Sequence, residues 1–297
     1  MLSRKLSDGF VVIDKPLGPT SHQVTSWVAD MLKAKKFGHA GTLDPNASGV
    51  LPIALGKAIK LLEYLSKSDK EYVGIAKFEK SIDPGRFLEI ANQFTGEIWQ
   101  MPPKVSAVKR RLRKRTVYSL EFLEIRNDLV LFKAKVQHGT YIRKLISDWG
   151  ELLGVKGSML ELRRIRSGPF DIKDAVILQD LKDAIVFYER GVSDELLSIV
   201  LPLEAGIKNM KKIYVKDSAV AAICHGADLA APGVAKCDDG IRKNEAVALM
   251  TKESELIGIG ISKMNSEEIR RSKKGIVAKT DKVIMDRNKY PKVWKSG

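Results

Sequence analysis

Cysteine and histidine are scarce in this sequence of 297 residues, which contains two cysteines and four histidines. Cys224 and Cys237 do not form a CxxC pair, and no further ligand lies at metal spacing from Cys224 and His225. This scarcity argues against a disulfide framework and against structural zinc. It favours a reducing compartment, and we expect a cytoplasmic protein.

Long hydrophobic runs are also missing. The apolar run from Phe10 to Ile13 is far too short for the core of a secretory signal or for a membrane span. No dinucleotide fingerprint or paired metal ligands are present, and GKAIK lacks the first glycine of a P-loop. The sequence therefore predicts chemistry without a cofactor or a metal.

Acidic residues are outnumbered, with 36 Asp and Glu against 51 Lys and Arg, which gives a net charge of +15. A surplus of this kind favours a polyanionic partner, because each phosphate that is neutralised releases condensed counterions. A basic surface that serves only solubility is the alternative from charge alone.

The first two thirds of the chain mix helical and strand patterns, which predicts an α+β domain over residues 1–209. Residues 38–50 are rich in Gly, Thr, Asp, Pro and Ser and predict a loop, and the apolar spacing after Leu51 is helical. The other predicted elements are a strand at 10–14, a helix capped by Ser21, a strand at 71–80, a helix at 84–95, two strands around the Asn127-Asp128 turn and a helix from Tyr141 to Leu153 that ends at Gly154.

The pattern changes around residues 200–213, where Pro202 and Gly206 are followed by three lysines. Beyond this stretch, short strands alternate with turns, which predicts a small β-barrel over residues 210–297. The predicted strands are KKIYV, GVAKC, EAVALMT, LIGIGIS, KGIVAKT and KVIMD.

One carboxylate lies in a loop of small residues, GHAGTLDPNASGVLP, at 38–52. Such a loop can bring Asp44 close to a ligand without side chains that block the approach. A cap on the following turn explains an Asp before Pro45 equally well.

A second segment of interest is HGTYIRKL, residues 138–145. Arg143 lies one turn into a predicted helix, two residues after Tyr141, and an arginine fork near an aspartate can hold the carboxylate ionised and orient it. For an isolated arginine, a place on the surface is the alternative.

Residues 104–115 contain seven cations and no acid, a pattern typical of segments that grip nucleic-acid backbone. A solvated helix face would usually interleave glutamates. A second basic group, Arg163, Arg164 and Arg166, leads into SGPF. The seven cations are Lys104, Lys109, Arg110, Arg111, Arg113, Lys114 and Arg115.

Segments spread over residues 9 to 294 resemble the TruB/dyskerin class of pseudouridine synthases, and most of all its archaeal branch, the catalytic subunit of H/ACA guide ribonucleoproteins. The KEY strand passes quickly to Pro84, where the bacterial-type branch has a longer insert. The C-terminal part looks like a PUA domain, an RNA-binding barrel. The resembling segments are VVIDKPLGPTSH, GHAGTLDPNASGVLPIALGKAIKLL, DKEYVGIAKF, FTGEIWQMPPKVSAVKRRLRKRTVYSLEFLEI, HGTYIRKL, ELRRIRSGPF and YVKDSAVAAICHGADLAAPGVAKCDDGI.

The resemblance implies an α+β catalytic domain with a mixed or antiparallel sheet, and it implies catalytic roles for six residues. These are the nucleophile Asp44, its partner Arg143 with Tyr141 beside it, Tyr72 packed on the target base, His39 near the flipped nucleotide and Leu162 at the floor of the pocket.

The resemblance also implies RNA contacts. Lys15 matches the first motif, a thumb loop at about residues 97–115 would close over substrate RNA, and the barrel would bind guide RNA near its ACA end. Tight barrel turns are the alternative for the glycine-rich stretch after His225. The predicted RNA-binding residues are Lys15, Lys104, Lys109, Arg110, Arg111, Arg113, Arg163, His225, Gly226, Ala227, Leu229, Ala230, Ala231, Pro232 and Gly233.

The implied function is isomerisation of uridine to pseudouridine in rRNA, guided by H/ACA RNA, and in the T-loop of tRNA. Implied partners are a small zinc-ribbon-like protein, a Gly/Arg-type barrel protein and, through RNA, a kink-turn-binding ribosomal-type protein, with no membrane. A catalytically silent RNA-binding scaffold is the alternative, and the presence of Asp44, Tyr72 and Arg143 together argues against it. A glycosidase would need a second Asp or Glu positioned opposite the first, and it would leave the basic segment 104–115 unexplained.

Overall fold

The computed structural model describes residues 4–102 and 111–291. The chain divides into two compact units, Met1–Leu201 and Pro202–Gly297, whereas the change of pattern along the sequence suggests a boundary near residue 210. The predicted thumb cations Lys104, Lys109 and Arg110 lie outside the described residues.

A ten-stranded sheet runs through the first unit, in the order β10-β1-β3-β8-β4-β7-β6-β5, with β2 paired to β3 and β9 to β8. The pairing of β3 with β8 is parallel, and the pairs on either side, β1–β3 and β4–β8, are antiparallel. The predicted mixed sheet is therefore confirmed. The strands are β1 (Gly9–Lys15), β2 (Phe37–His39), β3 (Ser48–Leu55), β4 (Lys70–Phe78), β5 (Gly96–Gln100), β6 (Arg113–Arg126), β7 (Leu129–Val136), β8 (Gly157–Ser167), β9 (Phe170–Asp171) and β10 (Leu201–Pro202).

Helices bury the two halves of this sheet in separate cores. One core packs α2, α6 and α7 against β1 and β3, and the other packs α4 and α5 against β4, β6 and β7. The helices of the first unit are α1 (Arg4–Ser7), α2 (Ser21–Met31), α3 (Leu62–Ser66), α4 (Pro84–Asn92), α5 (Ile142–Leu153), α6 (Leu178–Glu189) and α7 (Asp194–Ile199), with 3-10 turns at Gly56–Leu61 and Ile172–Asp174.

An aromatic cluster fills the second of these cores. Trp149 on α5 is fully buried and meets four phenylalanine rings edge-on, at centroid distances from 5.4 to 6.5 Å. Edge-to-face contacts of this kind add to the gain from burial alone. The helix ends as predicted at Gly154, whose φ of +72° suits glycine.

The second unit is a barrel-like six-stranded sheet in the order β12-β16-β15-β14-β11-β13. Ile213, Val247, Ile257 and Val277 are buried in its core. Its elements are β11 (Lys212–Val215), β12 (Leu229–Ala230), β13 (Val234–Cys237), β14 (Ala246–Met250), β15 (Leu256–Ser262), β16 (Ile276–Val283), α8 (Asp217–Cys224) and α9 (Ser266–Arg271), with 3-10 turns at Leu203–Ile207 and Ala231–Gly233.

Two predictions near the N-terminus are wrong in detail. Thr20 rather than Ser21 caps α2, because the Thr20 hydroxyl accepts from the backbone N–H of Gln23 while Ser21 already lies in the helix. The apolar run after Leu51 first continues β3 as far as Leu55 and becomes helical only afterwards, in the 3-10 turn Gly56–Leu61 and α3. A strand that is buried on both faces shows no alternation, so spacing alone cannot identify it.

Three further boundaries differ. The predicted loop at 38–50 contains the end of β2 and the start of β3, and the ends of the predicted thumb loop at 97–115 belong to β5 and β6. KGIVAKT and KVIMD share the single strand β16. Within the described ranges, no helix is long and apolar enough to cross a membrane.

We expect Trp149→Ala to lower the free energy of unfolding of the first unit by about 3–5 kcal/mol, because it removes a buried ring and leaves a cavity. Trp99 is 62% exposed, so Trp99→Ala should change this free energy by less than about 0.5 kcal/mol. Urea unfolding followed by circular dichroism measures both, and equal losses would contradict the packing role of Trp149.

Candidate active site

Asp44 lies in the loop between β2 and β3. Its buried neighbours Leu43 and Ala47 pack into the same core as Leu162, so the loop is anchored on both sides of the carboxylate. The N–H of Ala47 donates to the carbonyl oxygen of Asp44 at 3.0 Å and closes a turn. Packing therefore fixes the loop while the Asp44 side chain remains 46% exposed.

Ser21 holds this loop from α2. Its hydroxyl accepts from the Leu43 N–H at 2.8 Å and donates to the Leu43 carbonyl oxygen at 2.9 Å. The N–H of Gly18 donates to the carbonyl oxygen of Pro45 at 3.0 Å. The backbone is thus bonded immediately before and after Asp44.

Arg143 faces Asp44, as the sequence suggested. Its Nη2 atom lies 2.9 Å from Oδ2 of Asp44, and each side chain is 46% exposed. An ion pair this exposed typically contributes only about 0–1 kcal/mol to stability. We infer that the pair matters for the orientation of the carboxylate more than for the fold.

Gln100 fixes the chain just before Arg143. Its side-chain oxygen accepts from the Tyr141 N–H at 2.9 Å, and its amide nitrogen donates to the Tyr141 carbonyl oxygen at 3.3 Å. Tyr141 is the residue before α5, so these bonds set the point at which the helix starts. Arg143, two residues later, is placed by them.

A buried cation lies near Asp44. Lys15 at the end of β1 is completely buried, and its Nζ donates to the carbonyl oxygen of Pro16 at 2.7 Å. Burial lowers the pKa of Lys15, the charge of Asp44 opposes this shift, and Arg164 adds to it. The Lys15 ammonium therefore does not reach the surface, where the sequence suggested an RNA contact.

Tyr72 and Leu162 come from the neighbouring strands β4 and β8. In the register of this pair, Tyr72 is opposite Arg164 and Leu162 is opposite Gly74. Tyr72 packs against the core that contains Leu162 and Leu43. The residues predicted to hold the base thus share one core with the loop of Asp44, and their roles toward a base stay predictions.

His39 ends β2, and its ring makes an edge contact with His22 at a centroid distance of 4.9 Å. Burial, followed by the charges of His22 and Arg164, lowers the pKa of His39 to about 4. Its Nδ1 atom is buried and has no hydrogen-bond partner among the described residues. The ring is therefore neutral near pH 7.

The described residues of the predicted thumb loop belong to β5 and β6 or lie directly next to these strands. Arg111 is exposed just before β6, and Arg113 is paired with Gln100 of β5. On β8, Arg163 points away from the buried face, and its Nη2 lies 2.6 Å from Oδ2 of Asp14. Arg111 and Arg163 are exposed and can meet solvent or a ligand, whereas Arg113 is half-buried and Arg164 is buried.

The predicted guide-RNA residues of the second unit divide by exposure. His225, Gly226 and Ala227 are exposed after α8, and Pro232 is exposed in the following 3-10 turn. A side chain at Gly226 would meet nothing within 4 Å. This stretch is open to a ligand.

Other residues of the same stretch belong to the barrel core, because their side chains point inward. Leu229 and Ala231 are buried, and Ala230 is half-buried on β12. A Cβ atom at Gly233 would lie 2.9 Å from that of Ala219, so packing requires this glycine. For Leu229, Ala231 and Gly233 the structure supports the alternative of tight barrel turns.

Comparison with known proteins identifies the family. The N-terminal domain model of the TruB family pseudouridylate synthases matches residues 29–142, the tRNA pseudouridylate synthase B C-terminal domain matches 143–208, and the PUA domain matches 211–284. A protein of Pyrobaculum arsenaticum named probable tRNA pseudouridine synthase B is 48% identical over 289 residues, which are 97% of this chain and 87% of that protein. The chain belongs to the TruB family of pseudouridylate synthases.

Solved structures share this fold. A chain of an H/ACA RNP bound to a substrate RNA with 2′-deoxyuridine has a TM-score of 0.93 and 42% identity, over 99% of this chain and 90% of that chain. A chain of a Cbf5-Nop10-Gar1 complex has a TM-score of 0.93 and 44% identity, over 97% of this chain and 88% of that chain. The predicted family, the α+β catalytic domain with a PUA domain, and the class of enzyme, an RNA isomerase, are confirmed.

Three residues that build the site were not predicted to do so. Ser21 was predicted to cap a helix, Gln100 received no role, and Arg164 was named only as a member of the second basic group. The alternation in LRRIR could have identified Arg164, because Leu162 and Arg164 are two apart on a strand and share its buried face. No local pattern marks Gln100, whose bonds connect distant segments.

We expect the imidazole of His39 to remain neutral from pH 8 down to about pH 5, because its pKa is lowered to about 4. The unfolded chain binds a proton at about pH 6.5. The contribution of His39 to stability is therefore present above that pH and is lost as pH falls toward 4. NMR titration of histidine ring protons measures the pKa, and a midpoint near 6.5 would contradict the burial described for this ring.

Proposed function

We propose that this protein isomerises uridine in RNA with Asp44 as the nucleophile. The Asp44–Arg143 ion pair carries this proposal. It presents a half-exposed carboxylate on a loop whose backbone is bonded on both sides, so the attacking oxygen is both accessible and fixed. Reaction rates depend steeply on such positioning.

In the proposed reaction the target nucleotide leaves its stack, at a cost of a few kcal/mol. Asp44 attacks covalently at the base or at the anomeric carbon C1′. The bond between N1 and C1′ breaks, the base rotates and a bond between C5 and C1′ forms. The bond to Asp44 then breaks and restores the carboxylate, the C5 proton is released to solvent, and N1 takes up a proton from solvent. Tyr72 packs on the base, and His39, which is neutral, stacks without adding charge.

Cations surround the carboxylate in a way that suits a nucleophile. Arg143 approaches from the exposed side, and Lys15 acts on Asp44 from the interior. Positive charge nearby favours the ionised form of a carboxyl group. A guanidinium also keeps its proton at any working pH, so Arg143 remains a partner throughout.

For substrates, we propose uridines of rRNA selected by an H/ACA guide RNA, and the T-loop uridine of tRNA. The structural likeness to a chain of an H/ACA RNP supports the first, and the relative named as a tRNA pseudouridine synthase supports the second. The guide would contact the PUA domain at the exposed stretch from His225 to Ala227.

For partners, we propose a small zinc-ribbon-like protein and a Gly/Arg-type barrel protein on the catalytic unit, in keeping with the Cbf5-Nop10-Gar1 complex among the structural matches. A kink-turn-binding ribosomal-type protein would join through the guide RNA. We place the protein in the cytoplasm, because both cysteines are free thiols.

Asp44→Asn should abolish turnover and leave RNA affinity nearly unchanged, since the amide cannot attack but keeps the shape of the side chain. Release of tritium from RNA labelled at uracil C5 measures turnover, and filter binding measures affinity. Asp30→Asn, an exposed change on α2, is the matched control and should act like the wild type. Pseudouridine formed by Asp44→Asn would refute the nucleophile.

The same assay separates the substrates. Release on unmodified tRNA alone would show unguided action, and release only with guide RNA and partner proteins would show a guided enzyme. If no tritium is released in either case while RNA binding is intact, the alternative of a catalytically silent RNA-binding scaffold would be favoured.

RNA binding should weaken steeply as salt rises, because phosphate contacts release counterions. Arg111→Ala should flatten the slope of log K against log salt by about 0.7–1, the value for one lost phosphate contact. Lys182→Ala removes an equal charge from an exposed position on α6 and should leave the slope unchanged. Equal slopes for the wild type and Arg111→Ala would remove this residue from the RNA surface.

A further inference from the structure

Arg164 is a buried guanidinium for which the proposed mechanism gives no role. It lies on β8 with 1% of its surface exposed and is among the largest fully buried side chains. A buried charge needs hydrogen-bond acceptors, because desolvation without them costs several kcal/mol. The groups that accept hydrogen bonds from Arg164 therefore indicate which parts of the site this residue holds in place.

Two of these acceptors bracket the nucleophile in the sequence. The Nη2 atom of Arg164 donates to the carbonyl oxygen of Gly41 at 2.9 Å, and Nε donates to that of Val50 at 2.8 Å. Gly41 precedes Asp44 in the loop, and Val50 follows it in β3. One rigid, planar group thus ties together the entry and the exit of the loop.

The backbone brings the loop close enough for these bonds. Gly49 is paired with Arg164 where β3 meets β8, and its φ is +102°. A Cβ atom at Gly49 would lie 2.2 Å from the carbonyl oxygen of Arg164, so only glycine fits.

Tyr72 faces Arg164 across the β4–β8 pair, and its phenol group interacts with the guanidinium. The guanidinium therefore lies between the loop of the predicted nucleophile and the side chain predicted to pack on the base. Gly41, Val50 and Tyr72 come from three separate segments, and Arg164 connects all three.

We propose that Arg164 is a positioning residue that sets Asp44 and Tyr72 relative to each other for the reaction. This inference rests on the proposed function, in which Asp44 is the nucleophile. Arginine suits the task because its donors lie in a fixed plane and can serve several acceptors at set angles. Lysine carries the same charge as a flexible point and cannot reproduce that geometry.

Arg164→Lys tests the proposal with the buried charge retained. We expect kcat in the tritium-release assay to fall by about 100-fold, the effect of misplacement by about an ångström, with KM within about threefold of the wild-type value. Arg126→Lys makes the same change at an exposed position on β6 and should retain full activity. A wild-type kcat in folded Arg164→Lys would overturn the proposal.

A second pair of variants decides the matter if Arg164→Lys does not fold. Gly41→Ala strains a residue at φ +82° and places a Cβ atom 3.4 Å from Nη1 of Arg164. Gly191→Ala imposes similar strain at φ +92°, with nothing within 4 Å. We expect Gly41→Ala alone to lower kcat, again without a matching rise in KM, and equal activity of the two variants would overturn the proposal.

The outcome can be separated from that of the proposed function. Asp44→Asn with full activity would refute the nucleophile whatever Arg164 does. An inactive Asp44→Asn beside a fully active Arg164→Lys would keep the nucleophile and refute the positioning role.

Discussion

The short parallel contact between β3 and β8 is the constraint on which the rest of the catalytic unit depends. Only two pairs of residues form it, Ser48 with Arg163 and Gly49 with Arg164. It joins two halves of a sheet that have separate hydrophobic cores. The loop of Asp44 leads into this contact, so the place of the carboxylate is decided where the two halves meet.

Electrostatics at this contact differ from those of the surface. Most arginines in the described ranges are exposed and suit a polyanion, but Lys15 and Arg164 are buried and bond to backbone carbonyl oxygens. Two buried positive charges so close together are costly, and the carboxylate of Asp44 attracts Lys15. Burial, followed by the charges of His22 and Arg164, lowers the pKa of His39 and keeps its ring neutral near pH 7.

The sequence allowed the family and the two-domain plan to be predicted because family motifs are spread along the whole chain. Asp44 and Arg143 were predicted as partners, and they face each other. Elements that are apolar on both faces were harder to assign from the sequence, as β3 shows. Burial on both sides removes the periodicity that distinguishes a strand from a helix. Lys15 shows the complementary limit, because a motif can mark a residue without showing whether its side chain points inward.

The place of β8 in the sheet has a consequence for synthesis on the ribosome. β3 and β4 follow each other in the chain, yet β8 lies between them in space. Until β8 has left the ribosome, β3 and β4 each have an unpaired edge, and such edges invite pairing with other chains. In the nascent protein, Asp44 is therefore made before its loop can be fixed in place. The strand that covers the exposed edges, β8, is also the strand that brings Arg164 to the loop.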